Sequence, residues 1–275
     1  PMHVSFEAVH KATIVQREVE IGQGASVRVA DCQDTVVYLL APMQHVSICG
    51  CTDCIIVVGA VSGSLKVDLC ERVHLVSASR RLRVSSCRDS TFCIAVNHPP
   101  VVMGDCRNLQ LAPYNTYYER LDAHLRVANV RTAPNRWDAP VSLTSKLHTD
   151  TSSSPSTSNP TSSPDSASRV VALLPPEKFL PFMIPFRGAP PSAEDQLRPS
   201  TTANPFTMPQ QYSAALEQKV QAVEDMRKNV KEAGLDGANK RDLQTVIQAY
   251  FKEWLVVSGN MRQVYDLARM ERSDS

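Results

Sequence analysis

Hydrophobic and polar residues alternate between positions 27 and 112, and the alternation repeats at a nearly constant interval. Five runs of sequence share the pattern and each ends in a cysteine: VRVADC, VSICGC, LKVDLC, LRVSSC and VVMGDC. Successive cysteines are 19, 19, 17 and 19 residues apart, at Cys32, Cys51, Cys70, Cys87 and Cys106. A period of this length without helical patterning is typical of the stacked turns of a solenoid.

Each repeat, which we call a rung, contains two alternating stretches that predict two short β-strands. In the first stretch, the positions five and three residues before the cysteine point inward: Val27 and Val29, Val46 and Ile48, Leu65 and Val67, Leu82 and Val84, Val101 and Met103. The inward positions of the second stretch are Thr35 and Val37, Cys54 and Ile56, Val73 and Leu75, Ser90 and Phe92, Leu109 and Leu111. A corner residue separates the strands, and four of the five corner residues are Asp or Asn, which favour turns: Asp34, Asp53, Arg72, Asp89 and Asn108.

A single rung cannot bury its apolar side alone, so neighbouring rungs must stack and pair their strands in parallel. The sequence therefore predicts a mainly β fold, a parallel β-helix over residues 1–140, with residues 1–24 forming a capping rung. The recurring cysteine is explained as a small side chain that is easily buried at a tight corner.

Three further regions follow the predicted β-helix. Residues 141–168 are rich in Ser, Thr and Pro and are predicted to be a disordered linker, because they have too few apolar side chains to offset their ordering entropy. Residues 169–208 are predicted to be an extended proline-rich segment that lies across a groove with Phe179, Phe182 and Phe186. Residues 209–275 are predicted to be α-helical.

Two amphipathic helices are predicted in this last region. The first carries a stripe that ends before Gly234: Leu216, Val220, Val223, Met226 and Val230. The second is expected to be capped by Asn239 and has a wide apolar face: Leu243, Val246, Ile247, Tyr250, Phe251, Trp254 and Leu255. A third is predicted from Met261 to Glu271. Such faces indicate either a small bundle packed on itself or on the β-helix, or a partner-binding or dimerising segment.

The composition argues against some classes of partner and some cellular locations. The formal net charge is +1 in 275 residues, which argues against broad nucleic-acid binding. No run approaches the roughly 20 apolar residues of a transmembrane helix. The first residues do not resemble a secretion signal, so we expect a soluble, cytosolic protein that is a fragment or is processed.

The sequence predicts neither a metal site nor a bound cofactor. Cys49, Cys51 and Cys54 have a spacing that could suit zinc, but the rung pattern places Cys51 and Cys54 in the core and Cys49 on the other side. No histidine pair has i,i+4 spacing and there is no glycine-rich phosphate loop, so we do not expect the chain to bind nucleotide or to be an enzyme itself.

Three segments carry a resemblance to a known family: SASRRLRVSSC, FCIAV and PPVVMGDCRNLQLAPYN. They resemble the tubulin-cofactor-C domain (C-CAP/cofactor C-like), over roughly Thr13 to Tyr118. The later segments PNRWDAP, FMIPF and FKEWL are similar to one branch of that family. The resemblance implies a right-handed parallel β-helix in a cytoplasmic, cytoskeletal protein of the centrosome, spindle pole or basal body, which helps to position those organelles and the Golgi.

The resemblance also implies a site. In related proteins an arginine finger stimulates GTP hydrolysis by tubulin or an Arf-like GTPase, and this finger matches Arg83, whereas the family glutamine two residues earlier is Arg81 here. Strand alternation places Arg81 and Arg83 outside. One hypothesis is a non-enzymatic scaffold or adaptor for protein partners of the microtubule or centrosomal cytoskeleton, which bind an outer face with Arg28, Lys66, Arg81 and Arg83. The alternative is a GTPase-activating protein that uses Arg83.

Overall fold

Parallel pairing of each strand with its counterpart one rung away builds the fold. The computed structural model describes residues 2–22, 24–143, 170–184 and 204–257, with residues 261, 264, 265 and 268. The strands of the rungs are β1 His3–Glu7, β2 Thr13–Arg17, β3 Ala25–Ala30, β4 Val36–Leu40, β5 Met43–Cys49, β6 Ile55–Asp68, β7 His74–Ser85, β8 Thr91–Val96, β9 Val101–Met103 and β10 Leu109–Pro113. About six rungs stack, and the predicted parallel β-helix is confirmed.

Two sheets run along the stack, on either side of the corners. The first sheet contains β1, β3, β5, the second halves of β6 and β7, and β9. The second sheet contains β2, β4, the first halves of β6 and β7, β8 and β10. The predicted inward rows lie in register, as in Val37, Ile56, Leu75, Phe92 and Leu111, and all five are at most 1% exposed.

The corners repeat as regularly as the strands. All five predicted corner residues have φ between 48° and 54°, which is the left-handed conformation that Asp and Asn tolerate better than most residues. Arg72 also adopts it, and its Nε donates to Asp53 Oδ1 at 2.6 Å in the adjacent rung. The corner backbone therefore imposes the same turn in every rung, which keeps successive strands in register.

The recurring cysteines form a buried column inside these corners. Each is at most 3% exposed. The thiols of Cys32, Cys70 and Cys87 donate to the carbonyl two residues earlier, at 3.4, 3.3 and 3.3 Å. A thiol is small and a weak donor, so it fills the corner and satisfies a carbonyl there.

The last rung differs from the predicted alternation by one residue. Val102, not Val101 or Met103, pairs with Val84 and is fully buried, whereas Val101 pairs with Arg83 on the outer side. The prediction that Val101 and Met103 point inward is therefore wrong. Val84 lies three residues before Cys87, whereas Val102 lies four before Cys106, and the additional corner residue allows Gly104 to adopt φ 70°.

Two distant segments pair with the last rung. β12, Val141–Leu143, pairs with β9, and β13, Val171–Leu173, pairs with β10. β12 is formed by the first residues of the range assigned to the linker, and the remainder of that range lies outside the described residues. These segments satisfy backbone groups that the end of a solenoid would otherwise leave unpaired.

The segment from 170 to 184 packs along the outer side of the second sheet. It contains β13, a 3-10 helix Pro176–Lys178 and β14 Phe182–Met183, which pairs with β11 Thr116–Tyr117. Phe179 is fully buried against Tyr212, and Phe182 stacks on His74 with ring centroids 6.0 Å apart. Phe186 lies outside the described residues. Outward residues of the second sheet are consequently buried as well: Tyr38, Val57, Val76 and Cys93.

Four helices accompany the strands. They are α1 Glu18–Ile21, α2 Leu121–Val127, α3 Gln210–Glu232 and α4 Gly237–Val257. The short α1 follows β2 and the short α2 follows β11, and the long α3 and α4 come after β14. Tyr212 at the start of α3 is fully buried, and its hydroxyl donates to the Leu174 carbonyl at 2.6 Å. Asp236 immediately precedes α4, and its Oδ1 accepts the backbone N–H groups of Ala238 and Asn239. The prediction of Asn239 as the cap is wrong, because Asp236 caps the helix one turn earlier.

The apolar faces of the two long helices are open to solvent within the described residues. Val220, Val223 and Met226 of α3 are 59%, 45% and 52% exposed. Most of the α4 face is also exposed: Val246, Ile247, Tyr250, Phe251 and Trp254. Among the described residues, α3 and α4 therefore do not cover each other's apolar faces as they would in a small bundle. None of the described helices combines the length and hydropathy of a membrane crossing.

The shifted last rung predicts opposite outcomes at two neighbouring positions. Val102→Asp would bury an unpaired carboxylate, and we expect it to lower the free energy of unfolding by about 3 kcal/mol or more. Val101→Asp would place the same carboxylate on the outer face beside Arg83, with an expected change under about 1 kcal/mol. Urea unfolding followed by circular dichroism measures both. Greater damage at 101 than at 102 would contradict this register.

Candidate functional site

The outward side chains of the first sheet lie in two rows that cross the strands. One row contains Ser5, Arg28, Ser47, Lys66 and Arg83, and the other contains His3, Ser26, His45, Ser64 and Arg81. Adjacent strands are about 4.8 Å apart, so residues from position 28 to position 83 converge on a small area. All four predicted binding residues lie together here, and we call Arg28, Lys66, Arg81 and Arg83 the basic face.

Two of these four cations are paired with acids and two are not. Arg28 Nε lies 3.3 Å from Glu7 Oε1, and Arg83 Nη2 lies 3.2 Å from both carboxylate oxygens of Asp68. Lys66 and Arg81 are exposed, and their side chains form no hydrogen bond or ion pair within the part of the chain that the structure describes. The uncompensated charge of the basic face is therefore concentrated on Lys66 and Arg81.

Arg83 points away from the core but does not project freely into solvent. Its neighbours Leu82 and Val84 are 2% and 0% exposed, whereas the Arg83 side chain is 41% exposed. Asp68 holds one end of the guanidinium, and Arg83 Nε is buried without a hydrogen-bond partner. The guanidinium has donor capacity that its present environment does not use.

The Arg83–Asp68 pair can be exchanged at low energy. The side chains are 41% and 24% exposed, and ion pairs of this kind contribute at most about 1 kcal/mol. A phosphate or carboxylate of a partner could therefore replace Asp68 as the acceptor. Sequence reasoning missed Asp68, although its outward position two residues before Cys70, one rung from Arg83, was a usable signal.

Arg81 makes the surroundings of Arg83 more positive than a glutamine would. Arg81 and Arg83 are two residues apart on one strand and share its outer side, which places their Cα atoms about 7 Å apart. A glutamine amide both donates and accepts hydrogen bonds, whereas a guanidinium only donates. This face therefore binds negatively charged groups of a partner better than it binds neutral hydrogen-bond donors.

The three closely spaced cysteines do not converge on a common point. Cys51 and Cys54 are buried in the core, whereas Cys49 lies half-buried on the outer side of the first sheet. Cys54 Sγ donates to the Thr52 carbonyl at 3.2 Å, which occupies its only proton. Within the described residues, no three His, Cys, Asp or Glu side chains are placed to hold a metal ion.

A cysteine and a histidine meet on the second sheet, but both are neutral. Cys93 Sγ lies 3.9 Å from His74 Nε2, beneath the ring of Phe182. Burial raises the pKa of Cys93 to about 12 and lowers the pKa of His74. A nucleophilic thiolate needs the opposite shift at the sulfur, so this pair is a packing contact.

Comparison with known proteins identifies similar sequences. Residues 24–142 match the sequence profile described as "Tubulin binding cofactor C". The chain is 29% identical over 264 residues to "TBCC domain-containing protein 1" of Homo sapiens, with 96% of this chain and 42% of the relative covered. Over the same length it is 30% identical to the Gallus gallus protein of that name (96% and 42% covered) and 25% identical to that of Danio rerio (96% and 41%). The chain thus spans about two fifths of the length of these relatives.

The burial pattern predicts that one of the eight thiols reacts quickly in the native protein. Cys49 should react first with a colorimetric disulfide reagent, whereas the seven buried thiols should react only on unfolding. Burial and the nearby Asp68 carboxylate both raise the pKa of Cys49. The thiolate fraction should therefore increase about tenfold per pH unit between pH 7 and 8.

Two variants control this measurement. Cys49→Ser should remove the fast phase, and Asp68→Asn should accelerate it by removing a like charge. Rapid reaction of several thiols in the native state would contradict the buried cysteine column.

Proposed function

We propose that this chain is a non-enzymatic scaffold or adaptor of the cytoskeleton whose basic face docks a protein partner, since residues 24–142 match the profile described as "Tubulin binding cofactor C". The observation that carries the proposal is the charge of Lys66 and Arg81, whose side chains have no acidic partner among the described residues. Lys66 pairs with Arg83 in the register, and Arg81 lies on the same strand as Arg83. The family's description supports tubulin or another microtubule component as the partner.

The cellular role follows from the same resemblance. The chain acts in the cytoplasm at the centrosome, spindle pole or basal body and helps to position these organelles and the Golgi. Similarity along 96% of the chain to proteins of one name supports a shared role, since it includes the C-terminal helices as well as the β-helix. Depletion followed by measurement of the centrosome-to-nucleus distance tests this role, and an unchanged distance would contradict it.

The C-terminal helices provide a second contact. α3 is anchored to the β-helix through Tyr212, and Lys219 Nζ donates to the Phe179 carbonyl at 2.8 Å. Beyond that point the apolar faces of α3 and α4 are exposed. A scaffold needs at least two binding surfaces, and this arrangement keeps the helical surface apart from the basic face.

Charge reversal on the basic face should reduce partner binding. We expect Lys66→Glu combined with Arg81→Glu to weaken co-sedimentation with microtubules or capture of purified tubulin at least about tenfold, because both unpaired cations become anions. Arg126→Glu combined with Arg136→Glu is the matched control, since both residues are exposed and lie outside the first sheet. Equal loss in both variants would indicate a nonspecific effect of charge, and no loss in either would place docking elsewhere.

A second candidate function is GTPase activation through Arg83. It is favoured by the outward position of Arg83, its unused Nε donor and its exchangeable partner Asp68. An inserted arginine finger accelerates hydrolysis by about 10³ to 10⁵. One observation argues against GTPase activation: Arg81 occupies the position of the glutamine that accompanies the arginine finger in the related proteins.

Single-turnover GTP hydrolysis separates the two functions. The scaffold proposal predicts that adding the protein changes the rate of GTP hydrolysis by tubulin or an Arf-like GTPase less than about twofold. An arginine finger would instead raise this rate about 10³-fold or more. Stimulation that is lost in Arg83→Ala, kept in Arg88→Ala and increased in Arg81→Gln would establish activation instead.

A further inference from the structure

A groove crosses the first sheet beside the basic face. It has a volume of about 440 Å³ and extends across β1, β3, β5 and the second half of β6. Its polar lining includes His3, Ser26, Arg28, His45, Ser64 and Lys66. The groove therefore runs along the axis of the stack, across the strands.

Most of the surface that lines the groove is apolar, and its polar side chains are serines, histidines and two cations. Ser5, Ser26, Ser47 and Ser64 contribute four hydroxyl groups, and Arg28 and Lys66 contribute two positive charges. No Asp or Glu occurs among the described residues that line the groove. Glu7 contacts Arg28, but Lys66 has no acidic partner within the described part of the chain. The charged part of this lining is complementary to a negatively charged ligand, and the apolar part can pack against the aliphatic portion of such a ligand.

The backbone builds one wall of the groove. The pairing of β5 with β6 shifts register between Met43 and His45, and His45 Nδ1 accepts the backbone N–H of Ser64 at 3.3 Å. A Cβ at Gly63 would approach the His45 ring to 2.5 Å. The bulge and this glycine therefore hold the ring in place at the wall of the groove.

We infer that this groove binds a short, extended acidic peptide segment of a partner protein. The inference rests on the proposed docking function and adds the chemical class of the ligand. Four strands span about 14 Å, which an extended peptide crosses in four to five residues. Arg28 and Lys66 are two strands apart, about 10 Å, so carboxylates two or three residues apart can reach both cations.

A peptide fits this surface better than a nucleic acid does. Nucleic-acid binding depends on neutralising several phosphates at once, whereas the described lining of this groove carries two permanent cations, Arg28 and Lys66. The hydroxyls of Ser26 and Ser47, which also line the groove, can instead donate to peptide carbonyls and carboxylates at fixed positions.

Fluorescence anisotropy with a labelled peptide tests the inference. The probe is an eight-residue peptide with Glu at alternate positions, compared with the same peptide carrying Gln. We expect the Glu peptide to bind the whole protein at least about tenfold more tightly than the Gln peptide. Lys66→Glu should weaken binding of the Glu peptide about tenfold or more. Arg126→Glu, with the same change of charge outside the first sheet, should alter it less than about twofold.

A second variant separates the groove from general electrostatic attraction. Ser47→Tyr fills the groove without a change of charge and places a residue with high β propensity on a strand. It should weaken peptide binding as strongly as Lys66→Glu, with an unchanged circular dichroism spectrum. Binding that survives Ser47→Tyr, or equal binding of a poly-dT oligonucleotide that displaces the peptide, would overturn the inference.

Failure of the peptide inference can be distinguished from failure of the proposed docking function. If tubulin capture depends on Lys66 and Arg81 but the Glu peptide does not bind, the docking face stands and the peptide site is wrong. If neither interaction depends on these cations, both are wrong.

Discussion

In-register parallel hydrogen bonding between rungs is the interaction on which the rest of the structure depends. Within the described rungs, the backbone N–H and C=O groups of the strands pair mainly with the strands of neighbouring rungs, so each strand depends on its neighbours in the stack. The left-handed corner residues repeat the same turn and thereby keep the strands aligned. A change that buries a charge in one rung affects its neighbours too, because adjacent rungs share both hydrogen bonds and core contacts.

Register also creates the basic face. Arg28, Lys66 and Arg83 are far apart in sequence, but the stacking places them in one row across neighbouring strands. The same stacking places Asp68 and Glu7 close enough to neutralise two of the cations. The result is a surface with two compensated and two uncompensated charges, which suits reversible binding of an anionic partner more than permanent association.

The two sheets differ in what covers them. The segment from 170 to 184 and the start of α3 pack over the second sheet, where Tyr38, Val57 and Cys93 are buried on the outer side. The outer positions of the first sheet are mostly polar or charged side chains that remain at least partly exposed. Apolar outward residues attract a covering segment and polar ones do not, so outward side chains determine which sheet is available to partners.

The sequence by itself determined the rungs, the inward rows and the corners, because strand alternation and the turn preference of Asp and Asn are local properties. It also placed Arg81 and Arg83 outside. Only the tertiary structure decided that Val102 replaces Val101 in the core, that Asp68 holds Arg83, that Asp236 caps α4, and that β12 and β13 pair with the last rung. These features depend on register between rungs and on contacts between distant segments. A local pattern carries no information on such contacts, because one additional corner residue changes which side chains of the adjoining strand point inward, as in β9.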